Sequence, residues 1–287
     1  MDRASIGIFG GSGLYEMEGL SNVREVKPKT PFGEPSDAIV IGDLGGVDVA
    51  FLPRHARGHR LSPTEVPSRA NIYAMKMLGV ERIISVNAVG SLKEEIRPLD
   101  LVVPDQLIDR TRQRASTFFG EGLVAHVGFA DPFCPDLNAK LAAAARESGA
   151  RVHLGGTLVV MEGPAFSTKA ESFLYRSWGA SVIGMTTLPE AKLAREAEIC
   201  YASLSCATDY DCWHEVHESV TLEMIISNLL KNAATSKDIL RSLTPRLTDQ
   251  RACGCANALK DAIVTARDVV PAATKKRLEH LISKYIS

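Results

Sequence analysis

Between residues 5 and 240 one pattern recurs: a short apolar run, a turn of small or polar residues, then a stretch with helical periodicity. The apolar runs are Ser5 to Phe9, Ile83 to Val86, Thr157 to Met161, Ser181 to Met185 and residues 199–207. Helical patterns follow at 67–77 (closed by Gly79), 135–148 (closed by Gly149) and after Thr168 and Thr187. No Pro- or Gly-rich linker interrupts the series. Such an alternation stacks strands into one sheet and lays helices on its faces. Residues 37–53 read as a hairpin around Asp43-Leu44-Gly45-Gly46. The expected fold class is therefore α/β, a single domain with a central mixed twisted sheet flanked by helices. That domain spans 1–244. After Thr244-Pro245 the chain turns helical and more charged, so 245–287 is expected to be a C-terminal helical extension packed on the same domain.

The helix starts carry local signals. Thr168 with Glu171 forms a capping-box pattern, and Thr187 with Glu190 forms another, with Pro189 near the first helical position. Open α/β sheets take ligands beyond the carboxyl ends of their strands, so those turns are where function is sought. Ser12 lies in Gly10-Gly11-Ser12-Gly13, where a glycine turn lets backbone amides approach an anion. Arg54 and His55 open Arg54-His55-Ala56-Arg57-Gly58-His59-Arg60, directly after a strand. Asn87 and Ala88 begin a small-residue turn after Val86, and Thr186 precedes a helix. Asp209 and Asp211 follow the last apolar run, two residues apart and on one side of extended chain. Residues 109–133 are too long for a plain connection, and such loops commonly serve function or an interface.

Charge and composition act by exclusion. Lys plus Arg number 33 against 34 Asp plus Glu, a net charge of −1, so there is no basic surplus for a nucleic acid. No apolar run approaches the roughly 18 residues of a membrane span, and the N-terminus lacks a secretory core. A soluble, cytoplasmic protein with no membrane or nucleic-acid partner is expected. The cysteines (134, 200, 206, 212, 253 and 255) are expected as reduced thiols, with Cys253-Gly-Cys255 the one candidate for a disulfide. Zinc is disfavoured because no second closely spaced Cys or His pair accompanies it. A dinucleotide site is also disfavoured: GGSG lacks the full spacing, and Glu25, at the offset of a ribose partner, ends no clear strand.

Without a P-loop lysine or an acidic metal cluster, magnesium-dependent nucleotide chemistry is disfavoured. Neutral donors plus one arginine suit a small free anion such as inorganic phosphate. Two nearby carboxylates couple, so one can keep a proton and act as an acid toward a basic leaving nitrogen. An anion nucleophile at one end and an acid at the other describe phosphorolysis of an N-glycoside.

The segments GIFGGSGL, TPFGEPSDA, RHARGH, NAVGSL, EGPAFSTKAES, GMTTLPE and ATDYDCW, spread over roughly residues 5 to 235, carry a resemblance. The chain resembles the purine nucleoside phosphorylases of the trimer-building type, most closely the branch acting on S-methyl-5′-thioadenosine. The resemblance implies a phosphorylase/hydrolase-like fold, no cofactor, and inorganic phosphate as co-substrate. It implies that Ser12, Arg54, His55, Asn87, Ala88 and Thr186 hold phosphate and that Met185 meets the ribose through its backbone. Phe166 would stack on the base, and Asp209, with Asp211 beside it, would meet adenine N7 and the 6-amino group. Ser167 and Leu222 match positions tied to substrate choice, and Leu222 with Ile225 could line a methylthio pocket. His126 would close that pocket from a neighbouring subunit of a homotrimer or a dimer of trimers. The departures from the family pattern are Asn87 for a frequent Thr, Gly184 for a frequent Asn, and Ala165 for an Arg. Broad purine nucleoside phosphorolysis of inosine, guanosine or adenosine is the alternative activity.

Overall fold

The structure is a computed structural model, and it describes residues 2–214 and 222–286; of the helix that follows, the side chains of 222, 224 and 225 also lie outside the described residues. The chain enters through β1 (Ile6–Gly10), β2 (Ser21–Val26), β3 (Ile39–Asp43) and β4 (Asp48–Pro53). It continues through α1 (Ser68–Met77), β5 (Arg82–Ser91), β6 (Leu101–Val103) and β7 (Gln106–Arg110). Then come α2 (Pro135–Glu147), β8 (Val152–Leu154), β9 (Thr157–Met161), α3 (Lys169–Ser177) and β10 (Val182–Gly184). The last core elements are α4 (Thr187–Glu196), β11 (Cys200–Asp209) and α5 (Leu222–Leu243), followed by short helical turns.

All the strands share one mixed sheet, ordered β2-β3-β4-β1-β5-β10-β9-β7, with β11, β6 and β8 branching from β5. The branch point is the feature that builds a site. On one edge β5 pairs with β1 through its first half and with β10 at its end, while β11 runs beside it along the other edge. The strand ends of β1, β10 and β11 therefore converge on the second half of β5.

Burial explains the strands. Every residue of β1 is buried, and so is every residue of β11 before Asp209, as expected for strands covered on both faces. The segment after 245 contributes Val270, Leu278, Leu281 and Ile282 to the buried cluster that holds Ile72 and Tyr73 of α1.

Two expectations are corrected. The small-residue stretch Asn87 to Ser91 is not a turn: it continues β5, because β11 supplies partners as far as Gly90. The Thr187–Glu190 capping box does not form. Leu188 is non-helical (φ −108°, ψ 139°), and the Glu190 carboxylate turns inward to a buried arginine. Strands β2, β7 and β8 were not legible, since their mostly exposed or half-buried residues leave no long apolar run. The Thr168–Glu171 capping box is present in full.

Candidate active site

The converging strand ends enclose one cavity of about 470 Å³, lined by Ser12, Arg54, His55, Asn87, Ala88, Phe166, Met185, Thr186, Asp209 and Asp211. That volume lies in the range of small-molecule sites.

At one end the turn after β1 brings Ser12 to the wall. Gly11 is required there: a Cβ on it would stand 2.5 Å from the Val86 carbonyl oxygen. Arg54, 1% exposed, follows β4. Its guanidinium donates to both carboxylate oxygens of Glu190, to Ser85 Oγ and to the Val86 carbonyl. Glu190 is itself wholly buried, and also accepts from Tyr201 Oη at 2.8 Å and Ser85 Oγ at 3.0 Å. The arginine reaches the cavity with its charge already balanced from behind.

His55 stacks on His59, with ring centroids 4.4 Å apart, and its Nδ1 lies 2.7 Å from the Leu61 carbonyl oxygen. Burial, reinforced by the Arg54 charge, depresses its pKa to about 4. The ring is neutral near pH 7, with the proton on Nδ1 and Nε2 left as an acceptor. It can meet an anion only through a protonated phosphate oxygen or its backbone N–H.

Asn87 donates from Nδ2 to the Ser85 carbonyl (3.1 Å) and Ser203 Oγ (2.9 Å), while its Oδ1 accepts from Thr186 Oγ1 at 2.7 Å. Its amide hydrogens thus face the interior, and its Oδ1 takes the hydroxyl hydrogen of Thr186, so its contact with the cavity wall is to orient Thr186.

At the other end, Asp209 closes β11. Thr208 Oγ1 donates to its Oδ2 at 2.7 Å, and the Asp211 N–H donates to its Oδ1 at 2.7 Å. Extended-chain alternation is not what pairs the two acids. Asp211 has φ 52°, so the chain turns back after the strand and the hydrogen bond closes the turn. Burial raises the pKa of Asp209 despite those hydrogen bonds, and burial followed by the charge of Asp209 does the same for Asp211. Helix α5 holds this end in place: Asn228 Nδ2 donates to the Thr208 carbonyl and Asn232 Nδ2 to the Ala207 carbonyl.

Between the ends, Phe166 lies on the open rim, 75% exposed. Ile226 and Leu229 of α5 supply an apolar wall, with Tyr15, His59 and Pro63 nearby. Ser167 stands just behind the lining, its Oγ 3.6 Å from the sulfur of Met161. The Leu222 and Ile225 side chains fall outside the described residues. His126 does not line this cavity: it is exposed, on a strap tied to the C-terminal segment by its N–H to the Ala262 carbonyl.

Sequence reasoning missed Arg114, in the long irregular loop. Its buried guanidinium donates to the carbonyls of Met185, Leu188 (2.7 Å), Glu162 and Met161 (3.4 Å). It thereby fastens two segments of the cavity wall to each other. An isolated arginine in a loop leaves no local signal of that role. Glu190 carried a signal, but one that matched a helix cap.

A split sheet whose strand ends enclose one cavity, with a buried arginine at one end and two carboxylates at the other, defines a class, and residues 5–245 match the family described as the phosphorylase superfamily. The chain belongs to that superfamily. Particular members are much more similar still. It is 61% identical to the S-methyl-5′-thioadenosine phosphorylase of Geobacter sulfurreducens over 98% of this chain and 99% of that protein. It is 60% identical to the protein of the same name from Koribacter versatilis, over 99% and 97%. Among solved structures, a methylthioadenosine phosphorylase from an antarctic soil metagenomic library superposes with a TM-score of 0.94 at 51% identity, covering 98% of this chain and 100% of that one. The S12T mutant of an adenosine/methylthioadenosine phosphorylase from Schistosoma mansoni, in complex with methylthioadenosine, superposes at 0.82 and 36% identity, over 90% and 96%.

Proposed function

We propose that this chain catalyses phosphorolysis of S-methyl-5′-thioadenosine, releasing adenine and 5-methylthio-α-D-ribose 1-phosphate for purine and methionine salvage. Near-full-length identity to enzymes of that name supports the activity. One relationship in the fold carries the site: Asp209 pairs in register with Gly90, three residues along β5 from Asn87. Three residues of strand span about 10 Å, the reach of one nucleoside lying between its phosphate and its base.

In this reading Ser12, Thr186, Arg54 and the backbone at His55 and Ala88 seat inorganic phosphate beneath C1′. Met185 and Phe166 frame the ribose and the base. The C1′–N9 bond breaks with its electron pair passing to the purine, while a phosphate oxygen closes on C1′. Asp209, protonated, donates to N7, so that adenine leaves neutral; its second oxygen accepts from the 6-amino group. Ile226 and Leu229 offer the apolar wall that a methylthio group needs. No cofactor enters the scheme. Adenine release measured with and without phosphate tests it, and release that needs no phosphate would make the protein a hydrolase instead.

Broad purine nucleoside phosphorolysis is the second reading. It is favoured by Gly184, which lines the cavity without offering a polar side chain to select the base. Comparing kcat/KM for methylthioadenosine and inosine separates the two.

The same reading includes a cytoplasmic enzyme assembled as a homotrimer or a dimer of trimers. The exposed position of His126, away from its own cavity, fits service in a neighbour's. Light scattering of the purified protein tests the assembly.

A further inference from the structure

Four cysteines remote in sequence come together at the opposite end of β11 from Asp209. Cys134 caps the start of α2, Cys200 is the first residue of β11, and Cys253 and Cys255 lie in the segment after α5. Their sulfur atoms all lie within 4.8 Å of one another, and Cys200 and Cys253 are 3.3 Å apart. Cys134, Cys200 and Cys255 are buried, and Cys253 is half-buried. Nine residues of strand (200 to 209) separate the cluster from the acid of the candidate active site, about 30 Å of chain.

We propose that these four thiols form a structural zinc site. Zinc in such sites takes four thiolates at about 2.3 Å. In a regular tetrahedron that places neighbouring sulfurs about 3.8 Å apart, between the 3.3 Å of Cys200 and Cys253 and the 4.8 Å limit of the cluster. Sulfur is the ligand for a thiophilic d¹⁰ ion, and a set with no oxygen or imidazole leaves magnesium and calcium no hold.

The surroundings suit an anionic cluster. The Leu137 N–H, in the first turn of α2, points at Cys134 Sγ from 3.5 Å, where a helix N-terminus favours negative charge. Cys253 and Cys255 also line a second, open cavity of about 640 Å³ together with Arg195, which gives an ion a route in and places a cation near the cluster. Binding exchanges the thiol protons for the metal, so affinity rises with pH.

The site would join parts of the chain that nothing covalent joins. Cys134 and Cys200 belong to the sheet and its helix, whereas Cys253 and Cys255 begin the C-terminal segment. That segment in turn holds the His126 strap through Ala262, and Ile263 pairs with Ala125. The sequence hid the site because only one of its two halves, Cys253-Gly-Cys255, is close in the chain.

The test uses protein purified from zinc-supplemented cells under a thiol reductant and without chelators. Elemental analysis is expected to find about one zinc per chain. Exchange for Co²⁺ is expected to produce thiolate-to-metal charge transfer in the near ultraviolet and tetrahedral d–d bands. Cys253→Ser and Cys255→Ser should each lose the metal and both spectral features, while Cys206→Ser, outside the cluster, keeps them. Wild-type protein with no stoichiometric zinc and no cobalt–thiolate absorption overturns the proposal. Under non-reducing conditions, an intact mass lacking the hydrogens of two thiol pairs would overturn it in favour of disulfides.

Discussion

The carboxylate of Glu190 grips the guanidinium of Arg54 from the protein side, both groups wholly buried, so that the arginine faces the cavity already neutralised. Ser85 bridges them and Tyr201 donates to the same carboxylate. An arginine so held is an oriented donor more than a free charge. It can accept a phosphate without having first been left alone in a low-dielectric interior.

Removing one partner of such a pair strands the other. Glu190→Gln is expected to lower unfolding stability by about 3–5 kcal/mol and to raise the KM for phosphate, because Arg54 loses its anchor. Urea unfolding and phosphate titration measure the two effects. A variant as stable as the parent would show that the pair does not carry the arginine.

Asp209 is placed to protonate the leaving base. Asp209→Asn is expected to lower kcat on methylthioadenosine by about 10²–10⁴-fold, the usual worth of a general acid, and to cost inosine turnover much less, since a neutral amide can donate to O6. Equal losses on the two substrates would remove the acid from the mechanism.

Because burial raises the pKa of Asp209, the protonated form persists above the ordinary carboxylate range. Turnover should therefore fall as pH rises through that raised value, and the Asn variant should lack this limb of the profile. Steady-state rates across pH in constant ionic strength decide it.

Glu196 supplies a pH-dependent stability term away from the chemistry. Burial lifts its pKa from 4.5 to about 6, although it accepts from the Phe118 N–H and Thr117 Oγ1. The folded state holds this proton more tightly than the unfolded chain. Its contribution is fully present below pH 4.5 and is lost as pH rises to about 6. At about 1.4 kcal/mol per pKa unit the change is about 2 kcal/mol. Glu196→Gln should flatten the stability profile across that window, as denaturant unfolding at several pH values would reveal.

Arg114 ties the Met185–Leu188 segment to Met161 and Glu162 by their carbonyls. Arg114→Ala is expected to cut kcat/KM by about 10²-fold, the effect of a wall displaced by an ångström. Lysine should rescue little, since one ammonium cannot span four carbonyls. Full activity in the alanine variant would leave the loop without this role.

Much of this was legible in the chain. The glycine turn at Ser12, the Arg54-His55 pair, Thr186 and the two acids are all local features, each a break in an apolar run, and all line one cavity. What was misread was misread for one reason. Thr187 and Glu190 have the spacing of a helix cap, yet a buried guanidinium binds a carboxylate far more strongly than a helix end does. Asn87 looked like a donor for phosphate, yet Ser85 and Ser203 take its hydrogens and leave it to orient Thr186.

Apolar periodicity and turn chemistry are short-range quantities, and they determined the α/β class, most strand positions and the identity of the polar groups at strand ends. Distances between segments remote in the chain are decided only when β5 takes β1 and β10 on one edge and β11 on the other. That branching chose Glu190 as the partner of Arg54, gave Arg114 its carbonyls, and gathered four cysteines into one cluster. Burial then did what no spacing can express: it made an ordinary aspartate hold its proton and an ordinary histidine give one up.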